Sequence, residues 1–130
     1  TIMDIAPTAL ELAGVTHPGN SGIDNGVLPM TGRSMLAYLS GDATRVHAQT
    51  EAVGFELYGR RALRKGDWKL LWLWPPAGIG SWQLYNLAED PTESNDLSTE
   101  HPDKKAELIT DWESYVAENG VYLFDRDAGY

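Results

Sequence analysis

Apolar residues recur along this chain in two different periods. Between Asp67 and Trp74 the run DWKLLWLW is rich in aromatic and aliphatic side chains, with Gly66 before it and Pro75-Pro76 after it, which predicts a strand. By alternation Trp68, Leu70, Trp72 and Trp74 share one face, while Leu71 and Leu73 share the other with Lys69. From Pro102 to Asn119 the period lengthens to that of a helix. Leu108, Ile109, Trp112, Tyr115 and Val116 fall on one face, and Lys104, Lys105, Asp111 and Glu118 lie off it. Pro102 suits the first helical position, Asp103 lies where the helix dipole favours a negative charge, and Gly120 closes the element.

Shorter patterns fill the rest. Asp4 to Ala13 reads as a helix with Asp4 as its cap, Pro7 in the first turn, Leu10 and Ala13 extending the stripe begun by Ile5 and Ala6, and Gly14 as the stop. Residues 15–32 are rich in Gly and Pro and read as loop. Ser34 to Leu39 predicts a second short helix, with Ser34 as a cap and Gly41 beyond its end. Gln49–Glu56, Arg60–Arg64 and Trp82–Leu87 are further strand candidates, and Lys65-Gly66-Asp67 reads as a hairpin turn.

The order predicts an α+β fold: short helices, a small antiparallel sheet of about four strands, and a C-terminal amphipathic helix packed on the sheet. Residues 1–41 and 42–130 form the two expected divisions of the chain. Apolar side chains on both faces of the 67–74 run imply a central strand covered on both sides. One helix covers one face, so something outside this chain is expected to cover the other.

Composition narrows the classes of function. A chain of 130 residues suits one domain, and 42% hydrophobic with 22% charged residues is ordinary globular usage. The net charge of −9 works against a nucleic-acid backbone or an anionic membrane surface as partner. No apolar run approaches the roughly 20 residues that span a bilayer. There is no cysteine, which excludes disulfides, thiolate metal sites and a cysteine nucleophile within these residues. Thr1 leads straight into a helical pattern with no initiator methionine or targeting segment, as expected of a piece of a longer polypeptide.

Candidate chemistry is sparse. No serine sits in a Gly-x-Ser-x-Gly elbow, and His17, His47 and His101 are never three or four apart. His101 reads as a helix-entry residue and His47 as a surface histidine near a strand start. The acidic stretch Glu89, Asp90, Glu93, Asp96, Glu100 and Asp103 lacks the alternate ligand positions, central Gly and closing Glu of a calcium loop, so it reads as a solvated loop leading into a helix. Asp24-Asn25-Gly26 offers two oxygen ligands for a hard cation, but the same triplet is common turn chemistry. Trp68, Trp72, Trp74 and Trp82 are either core or a stacking platform, with Trp82 beside a flexible loop the best placed for stacking.

The segment LYNLAEDPTESNDL, Leu84 to Leu97, matches every fixed position of the Leu-Tyr-(Asp/Asn)-Leu-x-x-Asp-Pro-x-Glu-x-x-(Asp/Asn)-Leu signature near the C-terminus of the sulfatase family. IMDIAPTALELAGV (Ile2–Val15), TGRSMLAYLSG (Thr31–Gly41) and GFELYGRRALRKGDWKLL (Gly54–Leu71) resemble further segments of the family in the expected order. The arylsulfatase branch, in a bacterial form, is the most similar. The resemblance implies that residues 1–41 are the end of a large α/β domain of alkaline-phosphatase type with its connecting loop. It further implies that residues 42–130 are the C-terminal sheet-and-helix subdomain, whose free face docks on the large domain.

That family hydrolyses sulfate esters with a formylglycine, made from the Cys or Ser of a (Cys/Ser)-x-Pro-x-Arg motif, and a calcium or similar divalent ion. Both motifs lie upstream of the segments matched here, so no catalytic or metal residue is carried over. The implied partners are the N-terminal α/β catalytic domain of the same polypeptide and a small sulfate ester. The implied setting is bacterial cytoplasm or periplasm. Many relatives carry Trp-Glu-His-Glu-Gly-Asn before the Arg-Ala-Val-Arg hairpin, in a loop that approaches the active-site cleft. The counterpart here is Phe55, Glu56, Leu57, Tyr58, Gly59 and Arg60, which makes Glu56, Leu57 and Tyr58 the candidate substrate rim; the alternative is that Glu56 and Tyr58 are ordinary strand-end residues. Leu57 stands where those relatives have His, which implies a more apolar wall. Two other functions remain open on the residues alone: a phosphate or phosphonate monoester hydrolase of the same superfamily, and a stand-alone carbohydrate-binding module using its tryptophans.

Overall fold

Leu63, Leu70 and Leu84 stand side by side across three strands and are wholly buried. In the computed structural model, which describes residues 1–22 and 26–123, they form the middle of a four-stranded antiparallel sheet. Its strands are β1 (Ala52–Leu57), β2 (Arg60–Lys65), β3 (Trp68–Trp72) and β4 (Gln83–Asn86), hydrogen-bonded in sequence order. The helices are α1 (Ile5–Leu12), α2 (Leu36–Leu39) and α3 (Pro102–Asn119). The α+β arrangement is the one the patterns predict.

The C-terminal helix lies along one sheet face. Leu108 and Trp112 of α3 close over the three leucines, and Trp68, Trp82, Ile109, Tyr115, Val116 and Leu123 pack around them. Each buried leucine is worth about 1.5–3 kcal/mol against an exposed one, so this row is a large share of what holds the sheet and helix together. The row continues into β1 at Gly54, the register partner of Leu63. A Cβ at Gly54 would lie 2.4 Å from the Tyr115 ring, so the glycine is what lets that ring approach the strand.

Element ends differ from expectation for local reasons. β3 stops at Trp72, two residues short of the predicted limit, because Trp74 is followed by Pro75 and Pro76, which have no N–H for a ladder. The first helix opens with a 3-10 turn over Ile2–Asp4 before α1 proper. Asp4 does occupy the N-cap position of α1, but its side chain makes no cap bond there. The second helix begins at Leu36, and the Ser34 hydroxyl accepts the Leu36 N–H at 3.1 Å, so Ser34 still satisfies an otherwise open donor.

The chain forms two compact units, residues 1–48 and 49–130. They are held by different forces. All the buried hydrophobic side chains among the described residues lie in the second unit, whereas the buried side chains of the first are Asp4 and Thr8. Ile2, Ile5, Leu12 and Leu39 of the first unit are exposed. On the sheet face away from α3, Phe55, Ala62 and Leu71 line up across β1, β2 and β3, with Phe55 exposed. Apolar residues on both faces of β3 are therefore a feature of the structure as well as of the sequence.

Replacing Gly54 by Val should destabilise the protein by about 1–3 kcal/mol, the usual cost of overpacking. Tyr115→Ala on that background should recover part of the loss. Urea denaturation measures both; a G54V variant that unfolds with the wild type would mean that the Tyr115 contact is not tight.

Candidate functional site

The three candidate rim residues sit together at the tip of the β1–β2 hairpin. Leu57 and Arg60 are the last register pair, leaving Tyr58 and Gly59 as a two-residue turn with φ of 51° and 81°. Positive φ at both positions is the type I′ pattern, which suits the twist of the strands. Glycine adopts it freely, whereas a tyrosine there costs on the order of 1–2 kcal/mol. Glu56 helps to hold the turn, its Oε1 accepting the Gly59 N–H at 2.7 Å. Leu57 and Tyr58 are both exposed, at 62% and 49% of their surface.

Behind the tip, on the α3 side of the sheet, Arg61 faces Glu56 across the ladder and Trp72 on its other side. Its guanidinium carbon lies 4.4 Å from the centre of the Trp72 ring, a cation–π contact. Trp74 meets the same ring edge-on at 4.5 Å. Sequence reasoning passed over Arg61. The signal that could have found it is the register: once both hairpins are set, Arg61 and Trp72 must share a face. Trp68 and Trp82 go to the core, with Trp82 stacked edge-on against Trp112 at 5.8 Å, so neither forms a platform with Trp72 and Trp74.

A second polar cluster lies in the first unit. The Asp4 carboxylate is completely buried, with Oδ1 accepting the Arg33 N–H at 2.9 Å and Oδ2 lying 2.9 Å from His47 Nε2. The Thr1 hydroxyl also donates to Oδ2, at 2.9 Å. The Asp4 carbonyl takes the Thr8 hydroxyl at 2.6 Å, and that hydroxyl accepts the Met35 N–H at 2.9 Å. Burial pushes the Asp4 carboxyl up, while the hydrogen bonds from the Arg33 N–H, the His47 ring and the Thr1 hydroxyl pull it down. His47 is thus tied to Asp4 and is not the surface histidine expected. Gly32 belongs to the same packing, since a Cβ there would meet the Met3 carbonyl oxygen at 1.9 Å.

The acidic signature segment is fastened by its own carboxylates. Asp90 Oδ2 accepts the N–H groups of Ser94 and Asn95 at 2.7 and 2.9 Å, and Asp96 Oδ1 accepts those of Leu84 and Ser98 at 3.0 and 2.9 Å. Glu93 pairs with Lys69 of β3 at 2.5 Å. These oxygens organise the loop after β4, which explains why the motif needs Asp, Glu and Asp at fixed spacing. Among the described residues no three His, Asp or Glu side chains gather as a metal set. Asp24 and Asn25 lie outside the described residues. His101 stands at the N-cap position of α3, edge-on to Trp68 at 5.2 Å, a helix-entry residue as predicted. An open groove of about 360 Å³ in the first unit runs between Leu10, Glu11, Val15, His17 and Met30.

No family model matches the chain. It is 42% identical over 128 residues to an uncharacterised sulfatase of Schizosaccharomyces pombe, covering 98% of this chain and 23% of that protein. It is 29% identical over 113 residues to arylsulfatase K of Mus musculus, covering 79% of this chain and 19% of the relative. Among solved structures, one from work on glycosaminoglycan metabolism by Bacteroides thetaiotaomicron matches at a TM-score of 0.63 with 24% identity, over 86% of this chain and 24% of that one. A 2-O GAG sulfatase matches at a TM-score of 0.61 with 18% identity, over 95% of this chain and 27% of that one. The sheet and the long helix give this chain the fold of those solved structures. The chain belongs to the sulfatase family. It spans 23% and 19% of the length of those two relatives.

The buried Asp4 cluster has a measurable worth. Asp4→Asn keeps the shape of the side chain but gives up a carboxylate that accepts from Arg33, His47 and the Thr1 hydroxyl, and should cost about 1–3 kcal/mol at neutral pH. Thermal melts at pH 7 check this; an unchanged Tm for D4N would remove Asp4 from the account.

Proposed function

We propose that this chain is the C-terminal part of an arylsulfatase, a sulfuric-ester hydrolase that converts an aryl sulfate to a phenol and inorganic sulfate. The observation that carries the reading is the 42% identity over 98% of the chain to a sulfatase. The arylsulfatase K match supports the aryl branch. In this reading residues 1–41 end the large α/β domain and residues 42–130 form the subdomain that docks on it. The polar core and exposed apolar side chains of residues 1–48 support the first assignment, and the exposed Phe55 on the free sheet face supports the second.

The family's divalent cation and formylglycine do not fit on these residues. There is no cysteine, no serine lies in a Ser-x-Pro-x-Arg sequence, Asp4, Asp90 and Asp96 are engaged in core and loop hydrogen bonds, and among the described residues no three His, Asp or Glu side chains gather as a metal set. No chemical step is therefore assigned to this chain, and both groups are placed on the N-terminal domain. The contribution of this part is to complete the fold and to supply a cleft wall at Glu56, Leu57 and Tyr58. Glu56 holds the turn, while Leu57 and Tyr58 offer an apolar, aromatic surface to an aryl group. No described helix is long and apolar enough to cross a membrane.

The isolated 130-residue chain should not hydrolyse 4-nitrophenyl sulfate, whereas the full-length protein should; turnover by the fragment would overturn the division of labour. Preference for 4-nitrophenyl phosphate over the sulfate by the full-length protein would replace the sulfatase reading with a phosphoester hydrolase. In the full-length protein Tyr58→Ala should change the ratio of kcat/KM values among aryl sulfates of different size, with a loss of about 3–10-fold for the preferred one, the range of a lost aromatic contact. An unchanged ratio would take Tyr58 out of the rim.

A further inference from the structure

Arg61 is a cation with its electrostatic demand unmet. Its Nε is buried without a hydrogen-bond partner, and among the described residues the guanidinium has no ion-pair partner. Glu56, directly across the ladder, acts on it only through space, because Glu56 Oε1 is committed to the Gly59 N–H. Burial pulls the Arg61 guanidinium down from its ordinary value and Glu56 pulls it back up, yet an arginine stays charged in any case. The group is also fixed in place, with the Trp72 ring beneath it and Trp74 against that ring. Stacking of this kind orients the planar fork while leaving its donors for a carboxylate or sulfate.

Position gives the unmet charge a use. Arg61 lies two residues beyond the turn, at the same end of the sheet as Leu57 and Tyr58 and on the opposite sheet face from Leu57. Its side chain is only partly buried, so a solute at the tip can reach it. We propose that Arg61 receives an oxyanion of the bound substrate, a carboxylate or second sulfate distinct from the ester that is cleaved, and thereby selects doubly charged esters. The inference rests on the reading of the tip as the substrate rim. It makes Arg61 a specificity residue that stands apart from the reacting atoms.

The test uses the full-length protein with phenyl sulfate and 4-carboxyphenyl sulfate as substrates, and with phenol and 4-hydroxybenzoate as ligands in calorimetry. Arg61→Gln should raise the KM for 4-carboxyphenyl sulfate and the Kd for 4-hydroxybenzoate about tenfold, the loss expected when a charged hydrogen bond is removed. The constants for phenyl sulfate and phenol should stay put. Arg61→Lys, which keeps the charge and gives up the planar fork, should raise the same two constants by a smaller factor. Equal losses for the charged and uncharged compounds, or no loss for either, would overturn the proposal; so would a lowered Tm with unchanged ligand constants, the mark of an arginine that serves only the fold. If the wild type hydrolyses neither ester, the sulfatase reading fails, and the calorimetric comparison of 4-hydroxybenzoate with phenol still decides Arg61.

Discussion

The contact of α3 with the leucine row is the constraint on which the second unit depends. Leu63, Leu70 and Leu84 come from three strands, yet the register brings them to one line, and Leu108 and Trp112 seal that line from water. A four-stranded sheet needs a covered apolar face to be stable, and this helix supplies it. Gly54 sets how near the helix can come, because the Tyr115 ring occupies the space its missing side chain leaves. Everything at the ends of the strands, the hairpin tip included, is positioned by this packing.

The first unit is held together differently. A buried carboxylate gathers the Arg33 backbone and the His47 ring, and the Thr8 hydroxyl links the Asp4 carbonyl to the Met35 N–H. Such a centre specifies geometry well but buries little apolar area, so it contributes less to stability than a hydrophobic core of similar size. The exposed Ile2, Ile5 and Leu12 leave the hydrophobic face of the first helix without cover within this unit.

The candidate site combines a rigid base with a strained tip. Two register-paired strands carry Glu56 and Arg61, and the turn between them places a tyrosine in a backbone conformation that glycine prefers. The hydrogen bond from Gly59 to Glu56 and the stack of Arg61 on Trp72 fix the side chains just below the turn. Exposed Leu57 and Tyr58 therefore project from a well-defined platform. Sites mounted on strands hold their geometry better than sites on long loops.

Much of this was legible in the residues alone. The DWKLLWLW strand, the Pro102–Asn119 helix and the hairpin at Gly66 were readable because their determinants lie within one or two turns of chain. The acidic signature was readable as a family mark, although its physical task, carboxylates fastening their own loop, emerged only with the hydrogen bonds. Asp4 looked like a helix cap because a cap is a local role; its partners Arg33 and His47 are 29 and 43 residues away. Arg61 carried no local signal, since its meeting with Trp72 depends on the register of β2 and β3. Local periodicity determined the elements, because a side chain's preference for helix or strand is settled by its near neighbours. Which charges meet, which stay unpaired and which rings stack was decided by tertiary structure, because those distances exist only once the strands are in register and the helix has closed over them.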